Sequence, residues 1–295
     1  ASRKQRDEVL TWLQTWLGYG LTGETNLDEF LYIYGPPRAG KGTLTGALRA
    51  LLGEHLAKEI PFSTLTTKVS DAQRFDLAEL HAARLVVSEE SNGKDFLNSS
   101  LVKRLTGGNE IAASFKYQNV MHFIPQFKMI NISNFPIKSD ADDDALWARV
   151  RVLEFPHSHA GSEDYGLRER MQRPEALRGW LAWLADGAKR YYEFKRRNKG
   201  IPTPDSVKAS TAAAREALDT VGQWIEERAI RKADAWTPYA EAHGDYSVWC
   251  SKNGAEPKLM IGFTRTLHMK GYTVGEVRKH AGKATRGIVG LALLA

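Results

Sequence analysis

The sequence predicts an α/β fold built on a largely parallel sheet, and three observations carry that expectation. Short apolar runs alternate with helical patterns from residue 31 to about residue 200. One of those runs leads without interruption into a glycine loop and then a helix. Beyond a proline-bearing linker, the segment 206–295 has a different charge balance and a different pattern, which marks a separate module.

At the N-terminus, Val9, Leu10, Leu13, Trp16 and Leu17 recur at helical spacing, and Gly18 and Gly20 are expected to break that helix. Residues 1–30 therefore read as an N-terminal helical segment. The apolar run at 31–34 is the first strand, and Leu44, Leu48, Leu51 and Leu52 define the helix after the loop. Further strands are expected at 84–88, 127–133 and 150–155, and helix from about 166 to 197, with Leu177, Trp180, Leu181, Leu184 and Ala188 on one face. Trp12, Trp16, Trp180, Trp183 and Trp224 sit in helical patterns and read as core. In the C-terminal module, 210–230 reads as one helical run, two more helices follow, and two short strands flank a basic turn near Gly282. Helices followed by such a two-stranded wing describe a winged helix.

Composition bounds the class. The 295 residues are 42% hydrophobic and 26% charged, which excludes disorder, collagen and coiled coil. No run of about 18 apolar residues occurs, and no apolar segment follows the N-terminal charges, so a cytosolic protein without membrane contact is expected. The lone Cys250 can form neither an internal disulfide nor a structural zinc site, and reads as a small buried residue. Net charge is +6, and residues 251–295 hold eight Lys or Arg against two acids, so the first 250 residues are neutral. Clustered cations neutralise phosphates, so the module suits a polyanion, although a solvated basic face has the same composition.

The loop itself is Gly35, Pro36, Pro37, Arg38, Ala39, Gly40, Lys41, Gly42 and Thr43. Such glycines let backbone N–H groups converge on phosphate oxygens, and the lysine reaches the β and γ phosphates of a nucleotide. Gly42 departs from the pattern, which has Ser or Thr as a magnesium ligand there; Thr43 can take that duty. Glu89 and Glu90 follow an apolar strand, at the strand end where open α/β sheets bind ligands. Glu89 can hold Mg²⁺ through water while Glu90 orients or deprotonates an attacking water. Asn134 ends the next strand, and the alternative for it is a turn residue before Pro136. Arg149 precedes the last strand, where it suits either a neighbouring subunit's site or pairing with Asp142 to Asp144.

The order of these motifs, from WLQTWLGYGLTGET and GPPRAGKGT through FDLAELHAARLVVSEESNG, SLVKRLTGGNEIAASFKY and FIPQFKMINISNFP to DDDALWARVRVLEFP, resembles the superfamily 3 helicases, in the branch of poxvirus-type and phage or plasmid primase-helicases. The resemblance spans nearly the whole chain. It implies an AAA+ type ATPase core over 31–200 and a basic winged-helix domain over 206–295. It further implies a homo-hexameric ring that hydrolyses ATP with Mg²⁺ between subunits and moves 3′ to 5′ on single-stranded DNA, with a primase or polymerase acting in cis or trans. Lys41 would be the phosphate lysine, Glu89 and Glu90 the acidic pair, Asn134 the sensor and Arg149 the finger acting in trans, with Arg151 as the alternative. Ile111 to Phe123 would be the channel hairpin, gripping DNA with Lys116 and Tyr117. Asn109 and Ser114 depart from the aspartate and arginine usual there. Arg265, Lys270, Arg278, Lys279, Lys283 and Arg286 would contact duplex or origin DNA. Two other readings stay open: a DNA-binding replication initiator that uses nucleotide as a switch, and a nucleoside-phosphate kinase, whose loop is similar.

Overall fold

A computed structural model of the chain describes residues 2–66, 75–90, 93, 95–115 and 117–294, with the backbone alone at 75, 76 and 90. They form two compact units, one ending at Arg215 and one starting at Glu216.

In chain order the first unit comprises α1 (Arg3–Thr22), β1 (Phe30–Tyr34), α2 (Lys41–Leu56), β2 (Ala57–Pro61), α3 (Phe75–Ala78), β3 (Leu85–Glu90), α4 (Ser99–Thr106), β4 (Ile111–Ala113), β5 (Met121–Phe123), β6 (Lys128–Ser133), α5 (Asp144–Trp147), β7 (Val150–Glu154), α6 (Leu167–Met171), α7 (Pro174–Arg196) and α8 (Asp205–Glu216). The central sheet has the order β2-β3-β6-β1-β7, and its four pairings are all parallel. Every strand therefore ends at the same edge. β6 is buried along its whole length and β1 along nearly all of it; β1 reads as an unbroken apolar run, whereas β6 sets the buried polar residues Lys128, Asn131 and Ser133 among its apolar ones.

One face of this sheet is covered by α1, α2 and α7. Trp12, Leu13, Trp16 and Leu17 of α1 and Leu184 and Tyr191 of α7 pack with Leu31, Ile33, Leu48, Val87, Ile130 and Ile132. Helix α1 begins with a capping box, Ser2 Oγ accepting from Gln5 N–H at 3.2 Å and Gln5 Oε1 from Ser2 N–H at 2.8 Å. Contrary to the break expected at Gly18 and Gly20, the helix runs through both and stops at Gly23, whose φ is 74°. The reason lies in α7: a Cβ on Gly18 would strike the Ala188 backbone nitrogen, and one on Gly187 would strike the Gln14 carbonyl oxygen. These glycines serve a close helix crossing, not a helix end.

α8 stays with the first unit. Its Thr211 Oγ1 accepts from Val152 N–H at 2.9 Å on the outer strand, and Arg215 donates to Ala141 O at 2.8 Å.

The second unit comprises α9 (Thr220–Arg228), β8 (Ala229–Pro238), α10 (Tyr239–Lys252), α11 (Met260–Met269), β9 (Thr273–His280) and β10 (Lys283–Leu293), with an antiparallel sheet in the order β8-β10-β9. Its core gathers Val221, Trp224, Tyr246, Cys250, Phe263, Leu267, Ile288 and Leu291. Two details differ from the sequence reading. The helical run expected over 210–230 is cut at Asp219, whose carboxylate caps α9 by accepting from Gly222 N–H at 2.9 Å. Ala229 and Ile230 then open β8, a strand the sequence hides because residues 230 to 234 are exposed and mostly polar. Among the described residues no helix is long and apolar enough to cross a membrane.

Two stability predictions follow from this packing. Gly187→Ala should destabilise the first unit by roughly 1–3 kcal/mol or more, because neither backbone at the crossing can yield cheaply; urea denaturation measures it. Lys128 is buried under the Tyr19 ring, 4.1 Å from its centroid, and donates to the Glu24 carbonyl. Burial, helped by Arg84 and opposed by Glu24 and Glu29, lowers its pKa from 10.5 to about 7. The unfolded chain binds the extra proton between those values, so this residue's contribution to stability rises with pH across that window and is lost as pH falls through 7. Lys128→Met should flatten that rise in denaturation curves taken across the window.

Candidate functional site

The parallel sheet delivers three sequence-selected groups to one edge. Gly35 leaves β1 hydrogen-bonded through its N–H to Ser133 O on β6 at 3.3 Å, and a Cβ here would collide with the Phe155 carbonyl oxygen. Arg38 and Gly40 take φ values of 62° and 91°, and Gly40 is the N-cap of α2. Lys41, the first residue of α2, is only 7% exposed. Its Nζ donates to Gly35 O at 2.7 Å, Pro36 O at 2.8 Å and Asn134 Oδ1 at 2.8 Å, which accounts for its three hydrogens. Burial lowers the Lys41 pKa below the usual lysine value, and the Glu89 carboxylate opposes that shift.

Glu89 lies at the end of β3 in register with Ile132, and the Glu90 backbone pairs with Ser133, the residue before Asn134. Ser88 and Asn131, one step deeper, close a buried hydrogen bond of 2.7 Å that locks the two strands together beneath them. Glu89 is exposed and lines a cleft of about 540 Å³ that also touches Gly42, Gly46, Arg49, Arg168 and Gln172. Lys41, Asn134 and Glu89 are thus brought together. The side chain of Glu90 lies outside the described residues, as does Lys116.

Arg149 is not part of this cluster. It precedes Val150, which pairs with Phe30 at the start of β1, and its carbonyl accepts from Phe30 N–H at 2.9 Å. About 16 Å of strand separates that edge from the phosphate loop. Its guanidinium donates to Ala145 O at 2.7 Å and pairs with Asp28 at 3.2 Å. Two of the acids that spacing offered as partners are engaged elsewhere: Asp143 holds Lys103 at 2.8 Å and Asp144 holds Arg215. Arg151 pairs with the buried Glu29 at 2.9 Å.

The expected hairpin is present, β4 and β5 pairing antiparallel from Ile111 against Phe123. Tyr117 stands in its turn, 93% exposed, with φ 64°. In the second unit Arg265, Arg278, Lys279, Lys283 and Arg286 are exposed. Lys270 is tied by an ion pair of 2.5 Å to Asp219. Cross-strand register sets Arg278 and Lys283 on one face of the β9–β10 hairpin and Lys279 and Arg286 on the other. The first face also carries Trp236, with His280 5.9 Å from its ring and Arg278 at the same distance.

Sequence reasoning missed a clasp over the loop. Ser158 donates to Pro37 O at 2.8 Å, His159 N–H to Arg38 O at 3.2 Å, and Glu163 pairs with Arg38. It also missed Arg168 and Gln172, which only the fold brings to the cleft.

A family described as "Family of unknown function (DUF5906)" matches residues 33–149, from the first strand to Arg149. The chain is 27% identical over 249 residues to "Putative helicase L207/L206" of Acanthamoeba polyphaga mimivirus, covering 78% of this chain and 25% of that protein. It is 24% identical over 256 residues to "Putative primase C962R" of African swine fever virus, covering 81% of this chain and 24% of that protein. "Putative helicase 121R" of Invertebrate iridescent virus 3 is 24% identical over 236 residues. The chain spans about a quarter of the length of the curated relatives it matches. Its fold is shared with the apo structure of the NrS-1 C-terminal region in the A form, with a TM-score of 0.56 at 15% identity over 98% of this chain and 76% of that one.

The two arginines differ in what their removal costs. Arg151→Ala strands the buried Glu29 carboxylate, whose pKa burial already raises against the pull of Arg151, and should cost about 3–5 kcal/mol. Arg149→Ala breaks a pair whose aspartate is 42% exposed and should cost at most about 1 kcal/mol. Chemical denaturation of the two variants side by side checks the contrast.

Proposed function

We propose that this chain is the motor part of an ATP-dependent DNA helicase or translocase of the superfamily 3, AAA+ type, acting in the replication of a phage, plasmid, virus or other mobile element. Residues 31–200 serve as the ATPase core, and the module expected over 206–295, whose compact unit starts only at Glu216 after α8, as a winged-helix DNA-binding domain. The observation that carries the reading is the division of charge across the sheet: Lys41, Asn134 and Glu89 meet at the carboxyl edge, while Arg149 stands at the opposite edge. A subunit so built cannot bring its own Arg149 to its own loop, and a neighbour in a ring can use it. The helicase and primase names of the viral relatives support a role in replication.

The nucleotide's phosphates would replace the oxygens that now hold Lys41. Losing the Asn134 contact is the local event by which the end of β6 registers the terminal phosphate. Thr43 and Glu89 fit Mg²⁺, a hard cation that takes one or two protein oxygens beside phosphate and water and supplies charge to the phosphate oxygens. Glu90 is the group assigned to the attacking water. Arg149 supplies transition-state charge to the adjacent subunit. Tyr117, in the turn of the β4–β5 hairpin, and its sequence neighbour Lys116 contact the strand in the channel of a homo-hexamer. Arg265, Arg278, Lys279, Lys283 and Arg286 contact duplex or origin DNA, and the Lys270–Asp219 pair makes Lys270 the weakest of these assignments.

ATP hydrolysis by the wild type, Lys41→Ala and Arg149→Ala, with and without single-stranded DNA, tests the reading. Both variants are expected to lose activity alone, and mixing them should restore part of it, because one site in the mixed ring combines an intact Lys41 with an intact Arg149. Hydrolysis that ignores both DNA and Lys41 sinks the motor reading.

A further inference from the structure

Gly42 occupies the position where phosphate loops of this pattern have a hydroxyl, and the fold gives a reason. The site where a Cβ on Gly42 would sit is 3.4 Å from Nη2 of Arg168, and one turn further along α2 the corresponding site on Gly46 is 3.5 Å from Nε2 of Gln172. α6 therefore lies along a glycine face of α2. It aims a guanidinium at the first turn of the helix that ends the phosphate loop. The neighbouring arginines are committed to carboxylates, Arg170 to Asp164 and Arg173 to Glu169 at 2.8 Å. Among the described residues no carboxylate is paired with Arg168, although it lines the cleft that Glu89 borders.

The delivery of Arg168 is also built. The segment that leads into α6 is fastened to the loop at three points: Ser158 on Pro37 O, His159 N–H on Arg38 O, and Glu163 on Arg38. A guanidinium so placed, with no carboxylate partner among the described residues and beside the loop's first helical turn, offers planar, permanently charged donors that match phosphate oxygens.

We propose that Arg168 is a phosphate-binding residue of the same chain's nucleotide site, donating to the nucleotide's phosphate oxygens from the space that Gly42 leaves open. This rests on the phosphate-loop reading above and adds to it a second cation, supplied in cis by α6. It also gives Gly42 a role: a Cβ there would only reach ordinary contact with the guanidinium, at 3.4 Å, but atoms beyond it, such as a serine Oγ, would enter the space the guanidinium uses.

Equilibrium binding of ATP to the full chain, together with kcat and KM for its hydrolysis, tests the proposal on wild type, Lys41→Ala, Arg168→Ala, Arg168→Lys, Gly42→Ser and the Gly42→Ser/Arg168→Ala double variant. Arg168 is exposed and its replacement should leave thermal unfolding unchanged. Arg168→Ala is expected to weaken ATP binding on the order of 10- to 100-fold, with Arg168→Lys recovering part of the loss. Gly42→Ser should weaken binding in the wild-type background and have much less effect once Arg168 is gone, a coupling that a merely structural arginine would not produce. ATP affinity and KM of Arg168→Ala within about two-fold of wild type overturn the proposal while leaving the loop reading intact, provided Lys41→Ala has lost binding. If the wild type does not bind ATP, or Lys41→Ala binds it equally well, both readings fall together.

Discussion

A lysine ammonium held almost out of water must find an oxygen for each of its hydrogens, and the carboxyl edge of the sheet is organised around that demand. Lys41 is supplied by two carbonyls of the loop it terminates and by Asn134 of the neighbouring strand end. Meeting the demand fixes the path of residues 35 to 40, including positive φ at Arg38 and Gly40, and ties β1 to β6 where both chains leave the sheet. An ammonium satisfied this way is poised rather than idle. Phosphate oxygens are stronger acceptors for a cation than neutral carbonyls, so under the proposed function a nucleotide would take over the ammonium without leaving a charge bare.

The opposite edge obeys the same rule with the signs of the problem reversed. Glu29 is a buried carboxylate that needs Arg151, while Asp28, one residue away and more exposed, holds Arg149 only loosely. Two adjacent acids and two nearby arginines thus separate into a pair around a buried carboxylate and a pair around a more exposed one, whose arginine also donates to Ala145 O at 2.7 Å. Because all five strands run the same way, the strand length keeps the two edges apart and no side chain of either reaches the other.

Much of this was legible in the sequence, for reasons that can be stated residue by residue. β1 is buried on both faces and appears as an apolar run, β6 keeps Met129, Ile130 and Ile132 despite its buried polar residues, and the loop between β1 and α2 needs glycines that no ordinary surface turn would require. Glu89, Asn134 and Arg149 were found because each sits immediately beside a strand, so their strand-end positions followed from the strands. The failures share a different cause. Gly18 looked like a helix end because glycine favours one locally, and only the tertiary crossing with Gly187 explains it. β8 escaped because its middle is exposed and mostly polar, and Asp219 hid a cap inside an apparently continuous helix. Arg168 escaped because it lies far along the chain from the loop it faces; the pattern flagged an absence at Gly42 but could not say what fills the space.

The α1–α7 crossing bears on how the chain comes to be folded at all. Helix α1 is made before α7, against which Gly18 packs and which covers Trp12 and Trp16 together with the sheet, with about 150 residues between them. Through that interval the tryptophan face has no permanent cover. The sheet it rests on is itself non-local, since β1 takes its place only between β6 and β7. The sheet and its helical cover therefore close together only once α7 is made, and for that stretch of synthesis two large indoles wait without the partner that buries them, the kind of transiently exposed apolar surface that favours aggregation.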